Sequence, residues 1–381
     1  MLSGGIEVLE ALLRTVRPEV GRILARALEG REPSIDDGVA LLSVTGIDLH
    51  ALTLTADEVR RQRVGDAITF VATRNIQFSN ICYTGCSFCA FAHRADDPLA
   101  YRHGVDEVVR RAIEAHELGA TEVCMQGGLD PELGLDDYLN MVTAIKAAVP
   151  SMHVHAYSPF EIQYMTKRSG RDAEYVLTAL KDAGLGSIPG TAAEILDTDV
   201  RRVLTKNKLS AAAWVEIVKT AHRVGLFSSS TIMYGHVDGP RHQAAHLALL
   251  RDIQRDTGGF TELVPLGFIH DNTALYARGA ARPGPSGLED LRLHAVARLM
   301  LAGAIDHVQV SWVKLGPKMA QMILCAGADD FGGTLFDESI SRSAGSAHGE
   351  HMPVSEFVRL IRDLGRTPVR RSTDYRVLET Y

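Results

Sequence analysis

Short runs of apolar and β-branched residues alternate with longer helical patterns along most of the chain. Segments such as VDEVVRRAIEAHELG and SAAAWVEIVKTAHRVG carry apolar residues at three- and four-residue spacing, which predicts amphipathic helices. The runs between the helical segments predict eight strands: AITFVATRNIQF (67–78), ATEVCMQGG (120–128), SMHVHAYSP (151–159), LGSIPG (185–190), LFSSSTIMYGH (226–236), TELVPLGFI (261–269), HVQVSW (307–312) and the weaker DDFGGTL (329–335).

The regular alternation of strands and helices predicts the fold class. It indicates an α/β protein with a (β/α)8 TIM-type barrel, and a doubly wound parallel sheet is the alternative. The pattern predicts an N-terminal helical extension over residues 1–65 and the barrel core over residues 66–335. It predicts a C-terminal loop, a helix and an extended basic tail over residues 336–381. No linker within the core predicts a division into two domains.

Polar residues alternate with apolar residues along two of the predicted strands. His153, His155 and Tyr157 alternate in this way on the third strand, and Gln309 and Ser311 on the seventh. The outer face of a barrel packs on apolar helices, so the polar set is expected to point inward. A polar interior needs partners, and the pattern predicts a ligand-binding cavity; a satisfied core network is the alternative.

Composition narrows the classes of function. The 381 residues carry a net charge of −7, which argues against general binding to nucleic acid or anionic membranes. No apolar run approaches the roughly 18–20 residues that cross a bilayer. The N-terminal segment contains acidic residues and lacks a signal-peptide pattern. We therefore expect a cytoplasmic protein.

Three of the five cysteines are closely spaced. Cys82, Cys86 and Cys89 form a C-x3-C-x2-C motif directly after the first strand, where barrel enzymes place catalytic groups. Cys124 and Cys325 lie in apolar surroundings and are expected to be buried free thiols. The odd number of cysteines disfavours a disulfide framework.

Crowded thiolates require a metal to neutralise their charge. Zinc is one candidate, with His93 as a fourth ligand. An iron–sulfur cluster is the other, and three thiolates on a [4Fe–4S] cluster leave one iron open for a substrate or cofactor. The spacing favours iron–sulfur.

The cysteine motif, followed by Ala90–Phe91, resembles the signature of the radical S-adenosylmethionine (SAM) superfamily. The resemblance implies that Cys82, Cys86 and Cys89 hold one [4Fe–4S] cluster whose open iron chelates the amino and carboxylate groups of SAM. It also implies that the reduced cluster cleaves SAM to a 5′-deoxyadenosyl radical. Phe91 would then lie near the adenine.

The end of the second strand carries a further family element. Gln126, Gly127 and Gly128 resemble the Gly-Gly element whose backbone contacts the methionine amino group. Leu129 follows at a position where many relatives carry glutamate, so side-chain help from that position is not implied.

Four polar residues near later strand ends are further candidates. Glu194 is expected to accept hydrogen bonds from SAM, and Arg201 to pair with its carboxylate. Tyr234 and His236 end the fifth strand and are the predicted catalytic residues, because imidazole can move a proton near neutral pH. The alternatives are a solvated helix acid, a surface arginine, and packing at a strand end.

Within the superfamily the resemblance is closest to the CofH-type enzymes of FO synthesis. The stretches RNIQFSNICYTGCSFCAF, ATEVCMQGGLDPEL, HVHAYSPFEI, IPGTAAEILDTDVR and VQVSWVKLGPKMAQ carry it. Two enzymes of the futalosine menaquinone route share the cysteine loop, but they carry a Gly-rich stretch where this chain has PGTAAE (189–194). The single cysteine triad resembles the separate subunit rather than the fused form with two triads.

The resemblance implies a defined reaction. The radical takes a hydrogen from the tyrosine amino group, the Cα–Cβ bond breaks, and the 4-hydroxybenzyl fragment adds to C5 of 5-amino-6-(D-ribitylamino)uracil. This transferase step belongs to synthesis of the deazaflavin of coenzyme F-420. His153, His155, Tyr157, Gln309 and Ser311 would bind substrate. A CofG-type enzyme and a ferredoxin or flavodoxin would be partners. A menaquinone-route enzyme and a zinc-stabilised barrel without radical chemistry are the alternatives.

Overall fold

The computed structural model describes residues 3–381, with side chains from residue 7 onward, so Met1 and Leu2 of the predicted extension lie outside the described residues. The helices are α1 Ser3–Leu13, α2 Pro18–Leu28, α3 Ile35–Leu42, α4 Gly46–Val64, α5 Val105–Glu117, α6 Leu135–Ala148, α7 Pro159–Ser169, α8 Ala173–Asp182, α9 Thr198–Leu204, α10 Ala211–Arg223, α11 Pro240–Thr257, α12 Ala274–Ala277, α13 Gly287–Leu301, α14 Trp312–Leu315, α15 Pro317–Leu324, α16 Ser339–Ala344 and α17 Val354–Asp363. The strands are β1 Ala67–Val71, β2 Thr73–Gln77, β3 Glu122–Gln126, β4 His153–Ala156, β5 Ser187–Ile188, β6 Phe227–Tyr234, β7 Phe260–Gly267, β8 Asp330–Gly333, β9 Thr367–Arg371 and β10 Val377–Thr380.

The parallel strands follow one another in chain order around a barrel. A six-stranded parallel sheet has the order β2-β3-β4-β5-β6-β7. Two isolated parallel bridges, Leu263–Val308 and Gln309–Asp330, continue this order from β7 to β8. Strand β8 pairs in parallel with β1, and only Ala72 separates β1 from β2. This arrangement confirms the (β/α)8 prediction over the doubly wound alternative.

The predicted seventh strand is the least regular part of the barrel. Val308 and Gln309 make only single bridges, and the chain enters α14 at Trp312. Ser311 has a ψ of 87°, which turns the chain out of the extended conformation before further pairing can form. Trp312 is buried, and its indole N–H donates to the Gly333 carbonyl (2.9 Å), which fixes this turn against β8.

The C-terminal segment contains more than the predicted helix and extended end. Helix α17 buries Phe357, Leu360 and Ile361, and the Phe357 ring stacks on Phe70 of β1 at 5.0 Å. Strand β9 then pairs in parallel with β1, and β10 returns antiparallel to β9. A β-hairpin therefore follows the helix, and Arg371 lies beside Val71 at the barrel wall.

The N-terminal helices pack on the outside of the barrel. Helix α3 contacts α11, and α4 contacts α13. Ser34 caps α3, with its side chain accepting from the Asp37 amide. Gly38 allows this approach, since a Cβ there would lie 2.7 Å from the Met300 sulfur. Throughout residues 3–381, every helix is too short or too polar to cross a membrane.

Candidate active site

A cavity of about 430 Å³ lies inside the barrel. Residues from eight of the strands line it, together with the loop after β2 that carries the cysteine triad. The wall also includes carboxylates, an imidazole and two lysines. The polar alternation of the sequence therefore corresponds to a cavity inside the barrel.

The cysteine loop is held by backbone hydrogen bonds at both of its ends. The Cys82 amide donates to His93 (3.0 Å), the Cys89 amide to Cys86 (3.1 Å), and the Ser87 amide to Leu204 (3.1 Å). All three motif cysteines are free, half-buried and part of the cavity wall. The loop thus presents three thiols to one space.

The surroundings of these thiols suit a metal cluster. Burial raises the pKa of Cys86 and Cys89, although Lys208 and the backbone amides of Phe91 and Ala92 partly oppose that effect. Buried thiolates are therefore unfavourable until a positive charge joins them. The amides that face the Cys89 sulfur would stabilise it as a ligand, so these residues fit an iron–sulfur cluster.

The zinc alternative needs several ligands on one ion. Among residues 3–381, no three His, Cys, Asp or Glu side chains are grouped to hold a single ion. The ring of His93, the fourth ligand in that alternative, has its Nδ1 3.0 Å from an Asp97 carboxylate oxygen. In a [4Fe–4S] cluster the thiolates share four irons, so they need not meet at one point.

The Gln126–Gly128 element packs directly against the cysteine loop. The Gly128 amide donates to the Ser79 carbonyl (2.7 Å), and a Cβ at Gly128 would lie 2.1 Å from the Ile81 carbonyl oxygen. The Gly127 amide donates to Glu161 (3.1 Å). Gln126, Gly127 and Gly128 line the cavity, as does the buried Phe91 ring. Glycine here lets the end of β3 approach the loop.

Glu194 lies in the cavity wall beside a lysine that sequence reasoning missed. Lys208 Nζ is 2.5 Å from Glu194 Oε1 and 4.9 Å from the centre of the Phe88 ring. Burial opposes the charged form of Lys208, but Glu194 and Cys86 outweigh it and raise its pKa. Arg201 stands behind Glu194, and its guanidinium donates to the carbonyls of Ala193 and Leu209.

The structure does not bring the predicted catalytic pair, Tyr234 and His236, to the cavity wall. Side chains alternate along β6, so Met233 lines the cavity and Tyr234 faces outward, where its hydroxyl donates to Asp290 (2.5 Å). His236 is buried with Nε2 2.8 Å from the Met233 carbonyl. Burial lowers its pKa. Both residues support the wall from behind.

Three of the five predicted substrate residues line the cavity, namely His155, Gln309 and Ser311. Burial lowers the pKa of His155 to about 4, so its imidazole is neutral at physiological pH. Its Nδ1 lies 2.6 Å from the Ser187 hydroxyl, and His153 Nε2 shares that hydroxyl at 2.7 Å. His153 is therefore a neighbour of the wall rather than part of it.

Tyr157 turns away from the cavity because of its backbone. Its φ of 65° lies in the left-handed region and breaks the alternation of β4. The hydroxyl donates to the Tyr138 carbonyl (3.0 Å), and the ring packs edge-on to Phe78. No sequence signal marked this reversal.

Charged residues at the opposite end of the cavity from the cysteines were also missed. Glu122 alternates with apolar residues on β3, so the same period-two pattern could have indicated it, whereas Glu262 precedes a continuous apolar run on β7 and has no such signal. Arg371 and Thr373 come from the C-terminal hairpin and carried no such signal. We call this set the floor cluster: Glu122, His155, Glu262, Gln309, Arg371 and Thr373.

Comparison with protein families gives two matches that together cover most of the chain. Residues 76–250 match the radical SAM superfamily, and residues 257–381 match the CofH/MqnC C-terminal region. The first match contains the cysteine loop and the Gly-Gly element, and the second contains α17 and the hairpin.

Curated relatives extend the similarity. FO synthase from Mycobacterium tuberculosis (strain CDC 1551 / Oshkosh) is 56% identical over 355 residues, which cover 93% of this chain and 42% of that protein. The 5-amino-6-(D-ribitylamino)uracil--L-tyrosine 4-hydroxyphenyl transferase of Methanopyrus kandleri is 51% identical over 348 residues, covering 91% of this chain and 94% of that one. The chain thus spans about two fifths of the FO synthase and nearly all of the transferase.

A solved structure shares the fold. Methylornithine synthase (PylB) superposes with a TM-score of 0.72 at 19% identity, covering 91% of this chain and 97% of that chain. At this identity the likeness concerns the fold alone.

Proposed function

The chain belongs to the radical SAM superfamily, in the branch with a CofH/MqnC C-terminal region, and on that premise we propose that it is a tyrosine 4-hydroxybenzyl transferase of FO synthesis. It would cleave the Cα–Cβ bond of tyrosine and join the 4-hydroxybenzyl group to C5 of 5-amino-6-(D-ribitylamino)uracil. The observation that carries this proposal is the 51% identity to a transferase of that name along nearly its whole length.

Cys82, Cys86 and Cys89 would hold one [4Fe–4S] cluster at the edge of the cavity. When bound there, the cluster would supply the electron that cleaves SAM and starts radical chemistry. The backbone of Gly127 and Gly128 would face the methionine end of SAM. Glu194, whose carboxylate lies 2.5 Å from the Lys208 ammonium group, would accept hydrogen bonds from SAM.

The middle of the cavity would hold the reacting groups away from water. Val264, Leu266, Met233 and Phe160 contribute apolar surface to the cavity wall. Water-excluding walls protect reactive species from side reactions, and they orient a phenol ring without competing for its hydroxyl. Arg201 would act as a positioning residue that holds the Glu194 loop rather than as a direct ligand of SAM.

The names of the relatives support this reading over the two alternatives. One relative is named FO synthase, and another is named for the transfer from tyrosine to the ribityl uracil. We further propose a CofG-type enzyme as the partner that uses the product, with a ferredoxin or flavodoxin as the electron donor. The reduced thiols that iron requires favour the cytoplasm as its location.

A reconstitution experiment tests the function directly. The protein is loaded anaerobically with iron and sulfide, then given SAM, a reductant, tyrosine and the ribityl uracil, and the products are analysed by mass spectrometry. We expect 5′-deoxyadenosine together with an adduct of the uracil and 4-hydroxybenzyl, and no adduct when either substrate is left out. Formation of 5′-deoxyadenosine with futalosine-route substrates and no uracil adduct would contradict the proposal.

A further inference from the structure

The two ends of the cavity differ in the kind of group that they can bind. The cysteine end has Lys208 and Lys314 in its wall, the second with a hydroxyl partner, Ser341, at 3.2 Å. The floor cluster instead contains two carboxylates, Glu122 and Glu262. The lysines at the cysteine end already face carboxylates of the protein itself, whereas the carboxylates at the floor suit a ligand that donates hydrogen bonds.

The floor cluster lies well below the cysteine loop. Glu122 begins β3, and Gln126, beside the loop, ends it. Strand geometry separates the two by about 13 Å at roughly 3.3 Å per residue. A molecule whose reacting end lies near the loop can therefore reach the floor only with an extended substituent.

The floor carboxylates have oxygen atoms that can still accept hydrogen bonds from a ligand in the cavity. Glu262 Oε2 accepts from Gln309 (3.1 Å), Arg371 (3.2 Å) and Tyr375 (2.6 Å). Glu122 Oε2 accepts from the Thr373 hydroxyl. Within the part of the chain that the structure describes, the second oxygen of each carboxylate has no hydrogen bond. Buried acceptors of this kind favour a ligand that donates to them.

The charge balance at the floor selects against anions. Arg371 pairs with Asp330 and Glu262, so three nearby carboxylates, including Glu122, face one guanidinium. A tyrosine carboxylate would be repelled there, and a phenol would satisfy only one acceptor. An uncharged chain with several hydroxyls would satisfy several.

We propose that the floor cluster is the subsite for the ribityl side chain of the uracil acceptor, with Glu122 and Glu262 as its principal hydrogen-bond acceptors. This inference rests on the proposed function and adds the residues that recognise the acceptor. Arg371 and Thr373 complete the subsite from the C-terminal hairpin, so that hairpin contributes to acceptor specificity.

The first experiment uses the unmodified, cluster-loaded protein and two ligands. Isothermal titration compares 5-amino-6-(D-ribitylamino)uracil with 5-amino-6-(pentylamino)uracil, which keeps the ring and the chain length but has no hydroxyls. We expect the pentyl compound to bind about 100-fold more weakly or worse, since several hydrogen bonds to buried carboxylates are lost. Equal affinities would overturn the proposal without any mutation.

The second experiment assigns the residues. Glu122→Gln and Glu262→Gln keep the side-chain size and remove the charge, and each is expected to reduce the preference for the ribityl compound about tenfold. Glu338→Gln changes another cavity carboxylate that contacts Asn75 rather than the floor. It is expected to leave the ribityl-to-pentyl ratio unchanged. The pentyl affinity of each variant reports whether its fold is intact.

Two outcomes separate this inference from the proposed function. If Glu122→Gln raises the KM for tyrosine and leaves the ribityl preference intact, the floor binds the phenol and the subsite assignment is wrong. If the unmodified protein prefers the ribityl ligand yet forms no adduct with tyrosine, the subsite stands and the transferase proposal fails.

Discussion

The cysteine end and the floor of the cavity are assembled in opposite ways. The cysteine end is local: the three thiols lie within eight residues, and β3 approaches them through Gly128. The floor draws on residues from Glu122 to Thr373 and depends on three strands, the isolated bridge at Gln309 and the final hairpin. Local sequence therefore specifies the group that starts the chemistry, and topology specifies what the cavity recognises.

The same contrast appears in the electrostatics. At the cysteine end, burial raises the pKa of Cys86 and Cys89, so their thiolates need a positive charge such as the proposed cluster would supply. At the floor, Arg371 is satisfied by ion pairs within the protein. We therefore expect substitutions at one end to change loading and chemistry, and at the other to change stability and specificity.

The largest effect is expected at the cysteine end. Cys82→Ala, Cys86→Ala and Cys89→Ala should each abolish 5′-deoxyadenosine formation and lower bound iron, because the cluster loses one of its three ligands. Cys124→Ala is the matched control, since Cys124 lines the same cavity outside the loop. For the triad variants and the control, iron analysis measures cluster loading and a product assay measures 5′-deoxyadenosine formation. A triad variant that still cleaves SAM would contradict the assignment of radical initiation to the cysteine end of the cavity.

At the floor, Arg371→Met should lower the free energy of unfolding by about 3–5 kcal/mol, because it leaves Asp330 and Glu262 buried without their cation. Arg370→Met is the control, as Arg370 is half-buried and pairs with Glu379 on the hairpin, at a cost of about 1 kcal/mol or less. Urea denaturation compares them. Equal losses would show that the floor ion pairs carry no special weight.

The contact between β3 and the cysteine loop should tolerate no side chain. Gly128→Ala places a methyl group 2.1 Å from the Ile81 carbonyl oxygen, so we expect a loss of about 1–3 kcal/mol and reduced iron loading. Gly287→Ala is the control, because its nearest neighbour is 3.6 Å away. Thermal unfolding and iron content together test this. Full iron loading in Gly128→Ala would show that the position of the cysteine loop does not depend on close packing against residue 128.

A smaller effect concerns pH. Burial raises the pKa of Glu161 to about 7, although hydrogen bonds from Ser158 and Gly127 oppose it. Between about pH 4.5 and 7 the folded protein keeps a proton that the unfolded chain releases, so stability should fall as pH rises through this window. Glu161→Gln should flatten that profile by on the order of 1–2 kcal/mol. Glu174 is exposed, and Glu174→Gln should leave the pH profile of stability as in the unmodified protein. A Glu161→Gln profile that runs parallel to that of the unmodified protein would contradict the assignment of this pH dependence to Glu161.

The fold and the cysteine loop could be predicted because their signals are local. Strand and helix periodicities gave the barrel, and the C-x3-C-x2-C spacing followed by Phe91 indicated the family that the comparisons confirm. The seventh strand was overestimated, since the apolar alternation of 307–312 continues to Trp312 although the backbone turns at Ser311.

Side-chain direction at strand ends was harder to predict. Tyr234 shares the end of β6 with a cavity-lining neighbour and faces the other way, and Tyr157 is reversed by a single left-handed residue. Period-two reasoning applied to β3 would have added Glu122 to His155 and Gln309, which are three of the six floor residues. Arg371 could not be found in this way, because its place depends on β9 pairing with a strand from the opposite end of the chain.

That pairing has a consequence for folding order. Strand β9 joins β1 with Ala67 opposite Thr367, so the wall beside the floor closes only after Thr367 and the residues that follow it in β9 have been synthesised. Contacts between such distant segments carry a high loop-closure cost and form slowly. During synthesis, the floor carboxylates would stay without their Arg371 partner until β9 leaves the ribosome.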